Sequence, residues 1–371
     1  NPLGAGMNQQ YARNTLNIEI WNWGHRGFFE KGNHNFQWGN NIEQVKINDV
    51  VKQFEYQDSA GYSLPYTGNS IPLLNAIFSK NDLKFFRYSG YIQDNIRFYK
   101  NKNEFNLQLG LRYNYSDLNN EFLTSPRVQA SWKPEWKKDV IFRVAAGVYN
   151  QPPFYRELKN LQGNLDTKIV SQKSIQYIAG LDYQFKNKDD IPFRITVEGY
   201  YKSMHDVIPY DIDNVKIKYL GSNSAQAYAT GLEFRLFGEL LKDAESWLSV
   251  GFMKTMENIN DDYYYNYLNA SGETITSSTQ DQVIKDSIKN DIGFLRRPTD
   301  RLITVGLFLQ DYLPTNKNFK AFLNILYGSN LPFNIPGSTK YRNGLVIDPY
   351  IRIDAGFSAL LLSDKNKRRS H

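Results

Sequence analysis

Between Asn103 and Tyr149 apolar and polar residues alternate with a period of two. Phe105, Leu107, Leu109, Leu111, Tyr113 and Tyr115 share one parity, and Asn106, Gln108, Gly110, Arg112 and Asn114 share the other. Only an extended chain puts alternate residues on opposite faces, so this stretch predicts a β-strand. The pattern resumes at Arg127–Lys133. It resumes again at Val140–Tyr149, where Val140, Phe142, Val144, Ala146 and Val148 oppose Ile141, Arg143, Ala145, Gly147 and Tyr149.

The same reading predicts strands over Thr15–Trp23, Asn35–Tyr56, Phe85–Tyr99, Lys173–Phe185, Phe193–Tyr201, Tyr228–Gly238, Trp247–Lys254, Leu302–Leu309, Phe319–Tyr327 and Tyr350–Leu361. About 13 or 14 strands at this spacing make an antiparallel meander. Residues 1–12 read as an irregular lead-in and 57–82 as a loop. In Thr15–Trp23 the apolar parity switches at Ile20–Trp21, which predicts a bulge or a passage of the strand out of the membrane. Asp94 falls on an apolar face and is expected above or below any hydrocarbon band.

Two settings suit such strands. In a soluble antiparallel sheet the wet face carries Lys, Glu and Thr. Here it carries Asn, Gln, Gly and Arg, while the apolar face ends in tyrosines. That fits a transmembrane strand of about 9–11 residues, apolar toward lipid, polar toward a lumen, aromatic at the interface. The single strand leaves the two readings level. Connection lengths favour the membrane, because short turns such as Lys186–Asp190 alternate with long loops such as Asn150–Val170 and Glu257–Gly293.

Composition agrees. Mean hydropathy is −0.55, too low for a bundle of membrane helices, and no apolar run approaches ~18 residues. Aromatics reach 15% of 371 residues and cysteine is absent, which excludes disulfides and thiolate metal sites. The net charge of +6 is scattered except at Lys365–Arg369, so nucleic acid is not an expected partner. His25, His34, His205 and His371 lack ligand spacing, and Asp261, Asp262, Asp281, Asp286 and Asp291 lack the spacing of a calcium loop. No catalytic arrangement stands out, so neither enzyme activity, a metal nor a cofactor is expected.

Several motifs in order resemble a known family: Ser125-Pro126-Arg127-Val128, Gly147 to Leu158, Arg297-Pro298-Thr299-Asp300-Arg301, Gly328 to Phe333, Asp348 to Phe357, and the early Asp58 to Pro65. Nearly the whole chain resembles the barrel of TonB-dependent outer-membrane receptors of the Bacteroidetes type. The resemblance implies a Gram-negative outer-membrane protein with a barrel of about 22 strands. It further implies an N-terminal plug, a TonB-type energising partner, a nutrient ligand and a surface lipoprotein. No plug-like sequence is found. The chain is expected to be barrel throughout residues 1–371, a piece of a longer protein with about eight strands elsewhere.

Expected functions follow. The first is energised uptake of a bulky nutrient such as an iron chelate, cobalamin or glycan. The alternatives are a structural or adhesive barrel and a passive porin, and a plug in the full-length sequence would separate the first from the rest. Strand phase predicts that Arg112, Arg143, Arg194, Glu198, Glu233, Arg235, Arg352 and Asp354 face the lumen, with Glu233 and Arg235 pairing across strands or meeting the plug. Tyr263, Tyr264, Tyr265 and Tyr267, in the longest loop, are the candidate ligand contacts. The competing reading makes them part of an interfacial aromatic belt. Gln151-Pro152-Pro153 reads as a rigid strand cap rather than a lid, and Arg297–Arg301 as the opening of a strand rather than a lumen site.

Overall fold

The computed structural model describes residues 7–58, 71–213, 216–241, 244–313, 316–334, 340 and 342–360. Among them the regular structure is entirely β. The strands are β1 (Met7–Ala12), β2 (Thr15–Lys31), β3 (His34–Asp58), β4 (Leu73–Lys100), β5 (Asn103–Ser116), β6 (Glu121–Lys133) and β7 (Asp139–Gln151). They continue with β8 (Gln172–Lys186), β9 (Pro192–Val207), β10 (Tyr210–Asp213), β11 (Lys216–Tyr219), β12 (Ala225–Leu241), β13 (Ala244–Ile259) and β14 (Tyr263–Leu268). The last are β15 (Asp286–Asp291), β16 (Phe294–Arg296), β17 (Ile303–Leu313), β18 (Asn316–Gly328), β19 (Pro332–Phe333), β20 (Leu345–Val346) and β21 (Tyr350–Ala359).

Among the described residues, one 15-stranded antiparallel sheet runs β1-β3-β4-β5-β6-β7-β8-β9-β12-β13-β17-β18-β21, with β2 following β1 along the edge of β3 and β16 on β13. The hairpins β10–β11, β14–β15 and β19–β20 stand apart from it. The two-residue connection between β4 and β5 is made by Asn101 and Lys102, both at positive φ (48° and 62°). Two successive left-handed residues match the twist of a two-residue hairpin.

Register lines up the alternation found in the sequence. One cross-strand row reads Leu107, Ala130, Val144, Ala179, Gly199, Leu232, Phe252 and Ile303. Val144, Leu232 and Phe252 in it are exposed, as are Leu109 and Leu111 beside it, and Leu107 and Ile303 are half-buried. A face this apolar and this open to its surroundings is built for lipid, not water.

Aromatic rings mark both ends of that face. At the short-turn end Phe98, Phe105, Trp132 and Phe142 form a chain with ring centroids 5.2, 6.4 and 5.5 Å apart. At the long-loop end Tyr88 meets Tyr115 at 6.2 Å, and Tyr201, Tyr228 and Phe294 follow at 6.4 and 5.5 Å. The buried apolar clusters sit on the opposite, polar face near the long loops. Val45, Ile47 and Phe85 form one; Leu158, Ile169 and Ile208 form another, and Leu118 and Tyr155 touch both.

Several expectations change. Met7–Ala12 is a strand, not a lead-in, because it pairs with Gln53–Asp58 of β3. Part of the expected 57–82 loop is strand, since β4 begins at Leu73 and pairs with β3 far beyond the membrane-length segment. Ser59 to Pro65 and the basic Lys365–Arg369 lie outside the described residues. No bulge interrupts β2: its register with β3 is continuous from Thr15↔Val50 to Lys31↔His34. The parity switch instead reflects a change of neighbours, since Ile18 and Ile20 stand beside the buried Ile47 and Val45 on the polar face. Asp94 is on the apolar face and meets His34, the residue that opens β3 after its turn, at 2.6 Å.

Placing a cation on the apolar face is expected to be costly. Val144→Arg should lower unfolding free energy in lipid vesicles by ~2–4 kcal/mol. Gln129→Arg, on the polar face, should change it by less than about 0.5 kcal/mol. Denaturant titration in the two variants measures both.

Candidate functional site

The polar face gathers charge where β7, β8, β9 and β12 run side by side. Arg143, Asp182, Arg194, Thr196, Glu198, Glu233, Arg235 and Phe237 line a cavity of about 260 Å³. Arg143 reaches both neighbours: its Nε lies 2.9 Å from Asp182 and its Nη2 3.9 Å from Glu198. The Thr196 hydroxyl donates to Asp182 at 2.6 Å. Arg194 stacks on the Phe237 ring at 4.9 Å. Three guanidinium groups and three carboxylates thus share one half-open pocket.

The expected cross-strand pairing of Glu233 with Arg235 is not what forms. Register sets Glu233 directly opposite Glu198, a like charge. Arg235 therefore turns along its own strand and donates to Glu233 at 2.6 Å, the i, i+2 neighbour on the same face. Five of the eight charged positions singled out from sequence converge here: Arg143, Arg194, Glu198, Glu233 and Arg235. The other three share the polar face without joining the cluster. Arg112 stands between Tyr91 and Ser125 in register, and Arg352 on β21 donates to Asp354 at 2.8 and 3.0 Å.

A second arrangement escaped the sequence. After β7 ends at Gln151, Pro152 and Pro153 turn the chain back over the polar face. The Tyr155 hydroxyl donates to Asp49 at 2.8 Å, and Lys159 forms an ion pair with the same carboxylate. Asp49 is 4% exposed, and these two partners satisfy its buried carboxylate. Burial, then the bond to Asp49, pushes the Tyr155 hydroxyl far above its ordinary range. Glu157 accepts from the Phe154 amide at 2.8 Å and from Gln172 at 3.1 Å, and burial pushes its carboxyl upward. Asp49 differs from any solvated acid only in its parity on β3.

The tyrosine-rich loop is a hairpin rather than an irregular stretch. β13 continues to Ile259, and β14 pairs with β15 from Tyr263↔Asp291 to Leu268↔Asp286. Alternation divides the tyrosines. Tyr263, Tyr265 and Tyr267 are exposed together, with centroids 5.5 and 6.3 Å apart and Lys289 4.1 Å above Tyr263. Tyr264 falls on the other face, under Lys340 at 5.1 Å. The base of the hairpin is clamped by Asp262, which accepts from Arg342 at 2.5 Å. Burial raises the Asp262 carboxyl and Arg342 opposes that rise. The segment 297–302 does not open a strand, since β17 begins at Ile303. Asp300 is instead buried, accepting from the Thr255 amide at 2.7 Å and from Arg296 at 2.6 Å. Glu257 and Arg297 pair beside it at 3.2 Å.

Residues 2–360 match the family described as TonB dependent receptor-like, beta-barrel. The chain belongs to that family. Solved structures of a siderophore receptor and of two transporters share its fold at low identity. The siderophore receptor PiuA from Acinetobacter baumannii is 12% identical over 94% of this chain and 50% of its own, with a TM-score of 0.57. The outer membrane transporter YddB from Escherichia coli is 13% identical over 94% and 48%, at 0.54. The copper transporter OprC is 11% identical over 94% and 50%, at 0.55. A comparison with curated proteins finds no match. The chain spans about half the length of these structures. Family membership makes it a Gram-negative outer-membrane β-barrel protein, from a family of transporters and not of enzymes.

Glu157 gives the docked loop a pH dependence whose sign is fixed. Its folded pKa lies above the ordinary value of 4.5. Docking is therefore strongest below that value and weakens as pH rises through the raised pKa, where the buried carboxyl must ionise. Amide exchange at Leu158 and Lys159, corrected for intrinsic rate, should be slower at pH 4 than at pH 7. Glu157→Gln should remove the difference.

Proposed function

We propose that this chain forms the wall of a receptor that takes up a bulky nutrient, such as an iron chelate, cobalamin or glycan, energised by a TonB-type partner through a plug domain of the same full-length protein. A surface lipoprotein is a further partner in this reading. The observation that carries it is the charge-balanced pocket on the polar face. A passive pore needs open water there, whereas Arg143 and Arg235, held 2.6–3.9 Å from Asp182, Glu198 and Glu233, and Arg194 on the Phe237 ring present fixed partners to something that seats against the wall. In this reading Arg112, Arg143, Arg194, Glu198, Glu233, Arg235, Arg352 and Asp354 face the lumen, and the whole of residues 1–371 is barrel.

The long-loop end faces outside, and the exposed row Tyr263, Tyr265 and Tyr267 meets the ligand first. Three rings on one side of a hairpin offer broad contact with little rotamer freedom to lose. Tyr264 supports the hairpin from behind.

Two measurements test this. Replacing Tyr263, Tyr265 and Tyr267 by alanine should weaken nutrient binding to the full receptor at least about tenfold, with its outer-membrane level unchanged. Normal binding with reduced level would make the row structural. In the same receptor, Arg235→Cys should react with a charged maleimide admitted to the lumen while Leu236→Cys stays unreactive; the reverse result overturns the lumen assignment.

A further inference from the structure

β3 and β4 run for 25 and 28 residues, more than twice the roughly 9–11 needed to cross lipid. Their apolar face changes character past the upper aromatic residues. Beyond Trp21, which is 76% exposed, and Phe86, the next positions on that face are Glu19, Lys46 and Lys84, aligned in one row across β2, β3 and β4. Lys46 lies about ten residues along β3 from Phe36, a climb of about 25 Å at ~3.3 Å per residue and ~40° tilt, which is the height of the apolar band. The row thus stands at headgroup level, facing away from the lumen.

Its charges do not balance. Lys46 and Lys84 are directly opposite each other in register and both are exposed. Like charges in that relation repel. Glu19 approaches Lys46 only at 3.8 Å. Among the described residues no carboxylate pairs with Lys84 or with Lys80, two repeats of the pleat further up the same face, with Asp82 between them. The nearby Asp82 is engaged otherwise: the Asn48 amide, oriented to satisfy both groups, donates to its two oxygens at 3.2 and 3.3 Å. A repelling pair of ammonium groups at a lipid interface becomes favourable once an anion bridges it.

We propose that Lys46, Lys84 and Lys80 bind the phosphate groups of an anionic glycolipid in the leaflet on the long-loop side. Trp21 and Tyr88 set the depth of its acyl chains, and the lysines take the phosphates just above. This rests on the reading that the long loops face outside the cell.

The test uses the full-length receptor purified from outer membranes in mild detergent, with bound lipid read by native mass spectrometry. Wild type and the Lys46→Arg, Lys84→Arg double variant should retain phosphorylated glycolipid. Lys46→Ala with Lys84→Ala should retain at least about tenfold less. Lys254→Ala, an exposed lysine on the same face of β13, should retain as much as wild type. If the double alanine variant fails to fold, Lys84→Ala alone carries the test, with a several-fold loss expected. Undiminished retention in the alanine variant overturns the site. So does displacement of the glycolipid by millimolar inorganic phosphate, which would mark a free-anion site, or retention of phospholipid without glycolipid, which would put the row in the other leaflet. A receptor that holds glycolipid at these lysines yet takes up no nutrient sinks the uptake reading and leaves this one standing.

Discussion

An amide in hydrocarbon has no water to bond, so every strand in a membrane wall must find a neighbour on each side. That constraint orders the rest of this structure. It forces an antiparallel ladder from β1 to β21, and the pleat then sends alternate side chains to two unlike surroundings. Val144, Leu232 and Phe252 can share an exposed row only because that row faces lipid. Arg143 and Glu198 can crowd one pocket only because the other face does not.

Register decides which of those charges interact. Glu198 and Glu233 stand opposite each other, and the repulsion is relieved by Arg143 from one side and by Arg235 along its own strand. The result is a fixed set of donors and acceptors in the wall. The loop after β7 obeys the same economy at greater burial. Asp49, buried under that loop, is held by Lys159 and Tyr155. The contact ties the loop after β7 to the polar face of β3.

The two faces have different chemistry past the aromatic residues too. On the polar face the upper wall becomes an apolar core of Val45, Ile47 and Phe85 beneath the loops. On the other face the same strands turn basic at Lys46 and Lys84. One pair of long strands thus serves as packing surface inward and as headgroup surface outward, with two-residue periodicity keeping the roles apart.

The sequence by itself determined the fold class, most strands and the sidedness of their residues, because alternation is a local property that burial in lipid cannot override without cost. It placed Arg112, Arg352 and Asp354 on the same face as the charged cluster, and it picked out the tyrosines. Tertiary structure alone decided who meets whom. Pairing of Arg235 with Glu233 rather than across the strands depends on a register that no single strand encodes. The division of Tyr263, Tyr265 and Tyr267 from Tyr264 needed the β14–β15 hairpin, whose partners are separated by a long polar stretch. Asp49 and Lys159 lie 110 residues apart, so their pairing was invisible to any local pattern. Long-range contacts of this kind follow from the stacking of strands, and that stacking exists only once the sheet has formed.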